Sequence, residues 1–196
     1  ISELNIKIDI SYTSYLKRAI ETLTIILKTL NLSMKFNTAW ELNERHYGSL
    51  TGLNKEETKK KIGEEQFKKY RRSWNITPPP IEEKSEYQNL FSPLNASIPV
   101  GMVPFTESLK DTYKRVISYY KNEIQKHIRE NKTVLISAHG NSIRALCKYL
   151  FKLDNVNISK LEIPTGNPLV LKFNENKNLI SGNYLDKNRA KDLLIF

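Results

Sequence analysis

Residues 133–142, Thr-Val-Leu-Ile-Ser-Ala-His-Gly-Asn-Ser, constrain the fold of this chain more than any other stretch. A run of apolar, partly β-branched residues bounded by glycine predicts a buried strand. The following Ser142-Ile-Arg-Ala-Leu-Cys-Lys-Tyr-Leu-Phe151 predicts a helix, with Asn141 or Ser142 as its cap. His139, Gly140 and Asn141 therefore sit on the cusp between the carboxyl end of a strand and a helix N-terminus. Ligands of open α/β sheets bind at such cusps, and the free amides of a helix N-terminus favour anions. A tight turn with a structural histidine is the alternative on these residues alone.

A second cusp lies upstream. Lys7–Thr13 alternates polar and apolar like a strand. Leu16, Ala19, Ile20, Leu23, Ile26, Leu27 and Leu30 then recur at three- and four-residue steps, the spacing of an amphipathic helix. Arg18 falls in its first turn, so the two cusps can face a single anion. Lys55–Trp74 is charged and helical in character, broken near Gly63. Residues 75–104 are irregular and proline-rich, from Pro78-Pro79-Pro80 through Pro93 and Pro99 to Pro104, a length that often marks a lid or binding loop. From a Thr106 cap, Leu109, Tyr113, Val116, Ile117, Tyr120, Ile124 and Ile128 predict another amphipathic helix, with His127 on its solvated side. Pro168–Phe173 and Leu179–Leu185 read as strands joined by a turn over Asn174–Asn178. The pattern is α/β, and 196 residues suit a single domain spanning 1–196.

Composition narrows the class. No apolar run reaches transmembrane length, and no signal-peptide pattern is present. The single cysteine, Cys147, leaves no intrachain disulfide to form and fits a reducing, cytoplasmic setting. Its place in an apolar helix assigns it to core packing. The net charge of +10 is compatible with nucleic acid, an acidic membrane or small anions as partner. Its basic residues are spread along the chain, clustered only at Lys59–Lys61 and Lys68–Arg72, without the interleaved aromatics of a nucleic-acid module. Neither nucleic acid nor membrane is an expected partner.

Several blocks then appear in a fixed order: Tyr12-Thr-Ser-Tyr-Leu-Lys-Arg-Ala19, Leu42-Asn-Glu-Arg-His-Tyr-Gly48, Gly52-Leu-Asn-Lys-Glu-Glu-Thr58, Gly63-Glu-Glu-Gln66, Arg71-Arg-Ser-Trp74, Ala138-His-Gly-Asn-Ser142 and Ile163-Pro-Thr-Gly166. In this the chain resembles the 2,3-bisphosphoglycerate-dependent phosphoglycerate mutases of the histidine phosphatase superfamily, from about Lys7 to about Asp186. Residues 81–103 and the tail Leu193-Leu-Ile-Phe196 stand apart from the pattern. The resemblance implies a three-layer α/β sandwich, with a mostly parallel central sheet and helices on both faces. It implies a cytoplasmic isomerase of glycolysis and gluconeogenesis that interconverts 3-phosphoglycerate and 2-phosphoglycerate. The phosphoryl primer would be 2,3-bisphosphoglycerate, with no metal. The substrates would be small phosphorylated three-carbon acids, and the full-length protein a homodimer or homotetramer.

The family carries its phosphohistidine in an Arg-His-Gly-Glu motif at the end of its first strand. No Arg-His-Gly occurs here; the one Arg-His pair, Arg45-His46, is followed by Tyr47. The resemblance thus implies an amino-terminally truncated member. It would lack the family's first strand, an interior one beside Thr133–Ala138, and be inactive and loosely packed as written.

Phosphoryl transfer needs a nucleophile, cations for the spread negative charge, and an acid/base at the substrate hydroxyl. By resemblance, Glu44 is the acid/base and His139 stabilises the transferring phosphoryl group. Gly140 and Asn141 present donors to the same phosphate and Arg18 grips it from the other cusp. Tyr47 donates its hydroxyl to substrate, His46 orients the Glu44 loop, and Arg45 shares that block. Lys55, Arg71 and Arg72 hold the substrate carboxylate and second phosphate. The structural alternatives are a salt bridge between Glu44 and Arg45, aromatic packing for Tyr47, and a solvated face for Lys68–Arg72. The functional alternatives are a phosphatase of the same superfamily, and a catalytically dead fragment or pseudoenzyme kept for binding.

Overall fold

Parallel pairing between segments far apart in sequence organises the computed structural model, which describes residues 1–82, 98–99 and 101–190. Strand β1 (Ile10–Thr13) lies between β2 (Asn37–Thr38) and β3 (Val134–Ser137), parallel to both. Ile10 faces Val134, Ser11 Leu135, Tyr12 Ile136 and Thr13 Ser137. Because side chains alternate across a strand, Ile10, Tyr12, Val134 and Ile136 share one face and join the main core. Ser11, Thr13 and Ser137 share the other.

Helix α1 (Lys17–Thr29) covers the second face with buried Ala19, Leu23 and Leu27, four residues apart as predicted. The Ser137 hydroxyl donates to the Ala19 carbonyl at 3.1 Å, which settles a polar group beneath the helix. Helices α2 (Lys55–Ile62) and α3 (Glu64–Arg72) break at Gly63, where φ is +84°. The first face is covered by a long helix that runs through α4 (Leu109–Tyr119), a π-helical turn (Tyr120–Ile124) and α5 (Gln125–Arg129), packed against α6 (Gly140–Leu150). The helical layers on both faces are those expected. Cys147 sits in this core, its thiol pushed up to about 12 by burial.

Three local details differ from the sequence reading. The cap of α4 is Ser108, in a reciprocal box with Asp111, while the Thr106 hydroxyl instead donates to the Pro78 carbonyl. Helix α6 starts earlier than predicted, at Gly140, with His139 as its N-cap; Ser142 reaches back to accept the His139 amide at 3.1 Å. The π turn, which adds a residue to the helical register, is followed by His127 in an inward position. Its side chain is 15% exposed and its ring centroid lies 6.2 Å from that of Tyr12.

The expected single sheet comes in two parts. Beyond the short helix α7 (Asn155–Lys160), β4 (Leu169–Phe173) and β5 (Leu179–Tyr184) form a separate antiparallel hairpin closed by the Asn174–Asn178 turn. Among the described residues β3 pairs only with β1, and Val134, Leu135 and Ile136 are half-buried. No described helix is long and apolar enough to cross a membrane. Residues 83–97 of the proline-rich stretch, with Pro93, lie outside the described residues, as does the tail from 191 to 196.

Candidate active site

β1 and β3 run in one direction, so their carboxyl ends deliver Ser14 and His139 to the same place. Ser14 Oγ lies 2.7 Å from His139 Nε2, both groups buried. The same hydroxyl accepts the Leu16 amide at 3.1 Å, at the entry to α1. Neither α1 nor α6 has an acidic residue in its first turn, and α1 carries Arg18 there. A cation at the positive end of a helix is unfavourable in isolation; an anion between the two helix ends would offset both. The His139 imidazole is pushed down to about 3, first by burial and then by Arg18 and Arg115. At neutral pH it is an uncharged ring. A Cβ built on Gly140 would meet no neighbouring element within 4 Å.

Glu44 arrives on an irregular segment. Its Oε1 accepts the Arg45 amide at 2.7 Å and Asn141 Nδ2 at 2.9 Å. Asn141 Nδ2 also donates to the Tyr47 hydroxyl at 2.9 Å. One amide from the α6 cusp therefore joins Glu44 and Tyr47. That amide is oriented in turn by buried Arg144, which donates to Asn141 Oδ1 at 3.0 Å and to the Ile158 carbonyl at 2.5 Å. Burial lowers the Arg144 guanidinium to about 10, well above neutrality, so it stays charged.

Glu44, Arg45, His46, Tyr47, Lys55, Arg71 and Arg18 line one cleft of about 390 Å³. The Arg45 guanidinium lies 4.4 Å from the Tyr47 ring centroid and Arg71 lies 4.6 Å from it. Arg45 also donates to the Tyr70 carbonyl. Its Nε and Nη1 are buried without a hydrogen-bond partner among the described residues. Two unpaired donors on a cation that is 2% exposed are costly unless an acceptor arrives. Arg45 forms no ion pair with Glu44, whose carboxylate takes the backbone amide instead. Four of the expected residues do not line the cleft: His139, Gly140 and Asn141 stand at the start of α6, with Asn141 bonded to Glu44 and Tyr47 of the cleft wall, and Arg72 pairs with Glu162 at 2.7 Å. A neighbour on a helix points about 100° away, and here Arg71 lies over the Tyr47 ring while Arg72 reaches Glu162. His46 accepts the Gly48 amide on Nδ1 at 3.0 Å, a turn-forming role. Its pKa is lowered chiefly by burial. Gly48 itself is obligatory: at φ +55° a Cβ would come within 2.0 Å of the Pro79 carbonyl oxygen.

Ser14, Glu107, Arg115 and Arg144 belong to this constellation and were not picked out from the sequence. Ser14 had a signal, since it directly follows the strand in the same block as Arg18. Glu107 just precedes a helix, Arg115 and Arg144 lie within helices, and nothing in the sequence distinguishes them from surface charges. No group of three His, Cys, Asp or Glu among the described residues could hold a metal ion. The donor set — guanidinium, ammonium, imidazole and helix-end amides — suits a polyanion.

The histidine phosphatase superfamily (branch 1) model matches residues 2–183. The chain is 53% identical over 196 residues to a 2,3-bisphosphoglycerate-dependent phosphoglycerate mutase of Pelagibacter ubique, covering 100% of this chain and 82% of that one. It is 46% identical over 185 residues to the protein of the same name from Borreliella afzelii, covering 93% and 75%. Among solved structures, Bacillus stearothermophilus YhfR is similar in fold, with TM-score 0.63, 16% identity and coverage of 95% and 76%. So is a mycobacterial glucosyl-3-phosphoglycerate phosphatase with inorganic phosphate, at TM-score 0.60, 18% identity and coverage of 94% and 78%. The chain belongs to the histidine phosphatase superfamily and, within it, to the 2,3-bisphosphoglycerate-dependent phosphoglycerate mutases.

Proposed function

We propose that this cleft performs the acid/base and anion-binding work of a cytoplasmic phosphoglycerate mutase, which moves a phosphoryl group between the 2- and 3-oxygens of glycerate with 2,3-bisphosphoglycerate as primer. The observation that carries the reading is that Asn141 bonds Glu44 and Tyr47 at 2.9 Å each, and that those two line a cleft with Arg18, Arg45, Lys55 and Arg71. A phosphatase needs a way to hold one phosphate. A mutase must hold a carboxylate and two phosphate positions, and the surplus of cations supports the second case.

In this reading Glu44 takes the proton from the substrate hydroxyl as that oxygen bonds to phosphorus, and returns it to the alkoxide when the other ester breaks. Arg18, His139 and the α6 amides hold the phosphoryl oxygens, where negative charge is spread in the transition state. Arg45 supplies its free Nε and Nη1 to an oxyanion, while Arg71 and Lys55 take the substrate's other charged end. Arg72 keeps only an outer role through Glu162. The travelling phosphoryl group would sit on a histidine other than His46, His127 and His139. Substrates are small phosphorylated acids, and the working protein is a homo-oligomer.

The test is the ratio of 3-phosphoglycerate isomerisation to phosphate release, with and without 2,3-bisphosphoglycerate. Primer-dependent isomerisation well above phosphate release is expected. Release of phosphate without isomerisation would make the protein a phosphatase. Silence in both, in a protein that carries a phosphorylatable histidine, would leave a binding role.

A further inference from the structure

Behind the Glu44 segment lies an ion pair with no part in the chemistry described so far. Arg115 on α4 meets Glu107, which just precedes that helix, with Nε 2.7 Å from Oε1 and Nη2 2.9 Å from Oε2. The two side chains are 9% and 5% exposed. Arg115 Nη1 also donates to the carbonyls of Glu41 at 2.5 Å and Asn43 at 3.0 Å, and Nη2 to that of Glu44 at 3.3 Å. Glu107 Oε2 accepts the His46 amide at 2.8 Å, and the Glu107 amide donates to the His46 carbonyl at 2.9 Å. Peptide groups on both sides of Glu44 are thus bound by one pair of residues from outside the segment.

An irregular segment must find partners for its backbone outside itself. Here they come from a rigid guanidinium fork whose donors are all committed. A guanidinium has five N–H groups, and those of Arg115 go to the Glu107 carboxylate and to three carbonyls. Arg115 borders the cleft, as Arg45 does, but keeps no donor for a ligand. Arg45 keeps two.

We propose that the Glu107–Arg115 pair is the positioning device of the reaction: it fixes the Glu41–His46 backbone so that the Glu44 carboxylate stands at the substrate hydroxyl. The inference rests on the reading of Glu44 as acid/base. Misplacing a catalytic group by about 1 Å costs about a hundredfold in rate, and a lysine at 115 keeps the charge but loses the fork.

The test uses Arg115→Lys, Glu107→Gln and Glu44→Gln in a protein that carries the phosphorylatable histidine, with two readouts. In amide hydrogen exchange, Arg115→Lys is expected to speed exchange at Arg45 and His46 while Tyr12 in β1 and Ile136 in β3 keep theirs. Equal acceleration in β1 and β3 would make the pair a fold-wide support and overturn the proposal. In turnover, Arg115→Lys and Glu107→Gln should each lower kcat about 10- to 100-fold with KM nearly unchanged. Combining either with Glu44→Gln should add nothing to the Glu44→Gln loss of about 10²–10⁴. Full kcat in Arg115→Lys, a raised KM alone, or losses that multiply in the double variant would each overturn it. Full turnover in Glu44→Gln alone would instead sink the acid/base reading, and the positioning role with it. If Arg115→Lys does not fold, Glu107→Gln carries both readouts.

Discussion

Ser14 Oγ and His139 Nε2 stand 2.7 Å apart at the ends of two parallel strands, a contact between residues 125 positions apart. The hydroxyl serves two groups at once, the ring and the Leu16 amide. Replacing Ser14 by Ala leaves both without their partner in a buried place. We expect Ser14→Ala to destabilise the fold by about 1–3 kcal/mol in urea unfolding. A ring freed of its anchor should also broaden the His139 resonances in NMR. An unchanged urea midpoint would show that the contact contributes nothing.

Asn141 offers a sharper test, because its two amide ends have different partners. Asn141→Asp keeps the acceptor for Arg144 and loses the donor to Glu44 and Tyr47. It also sets two carboxyls face to face, which raises the pKa of one of them. The variant should be less stable than wild type, increasingly so as pH rises above the carboxylate range, and should bind 2,3-bisphosphoglycerate more weakly. Urea unfolding checks the first effect and calorimetric titration the second, each at pH 5 and pH 7.

The depressed His139 pKa fixes the sign of a pH effect. The folded ring holds its proton only below about 3, whereas the unfolded ring takes one up near 6.5. The unfolded state therefore binds more protons between those values, and stability rises with pH across the window. The contribution is complete above about 6.5 and is lost as pH falls toward 3. At pH 5 the loss amounts to about 2 kcal/mol at most. His46, whose pKa is also lowered chiefly by burial, acts with the same sign. Urea midpoints from pH 7 to pH 4.5 should slope downward, and His139→Asn should flatten the slope. A slope unaltered by that substitution would assign the loss to other groups.

The three histidines of the chain are each committed or remote. His46 Nδ1 takes the Gly48 amide, His139 Nε2 meets Ser14, and His127 packs near Tyr12. The 196 residues by themselves should therefore take up no acid-labile phosphate from 2,3-bisphosphoglycerate, as read by phosphorus NMR, while still binding it. A phosphohistidine on His46 or His139 would contradict that.

What could be read from the sequence follows the reach of the forces concerned. The α1 stripe of Ala19, Leu23 and Leu27, the break at Gly63 and the two strand-to-helix cusps depend on spacing within a few residues, and all were legible. The start of α6 was less so: Ser142 looks like a cap but acts from inside the helix, because Gly140 and Asn141 adopt helical geometry ahead of it. The inward turn of His127 follows a π turn whose cause lies in packing, not in local residue type. The site was legible where family blocks named its residues. It was silent at Glu107, Arg115 and Arg144, whose roles depend on partners as far as 61, 74 and 14 positions away. Arg72 looked like the twin of Arg71 until helical geometry separated them.

The two idle donors of Arg45 have a consequence for how the chain survives in solution. Arg71 repels Arg45 across the Tyr47 ring, and burial withholds from Arg45 the water that would otherwise screen it. The cleft thus holds stored repulsion in a chain whose net charge is already +10. A polyanion that enters relieves the repulsion and binds only the folded form, so it shifts the folding equilibrium by mass action. At a hundred times its dissociation constant such a ligand adds about 2.7 kcal/mol, a large share of a marginal stability of about 5–15 kcal/mol. The melting temperature should then track the concentration of phosphorylated acids, and added salt should weaken that dependence. The metabolite pool becomes, in effect, a determinant of how long the molecule lasts.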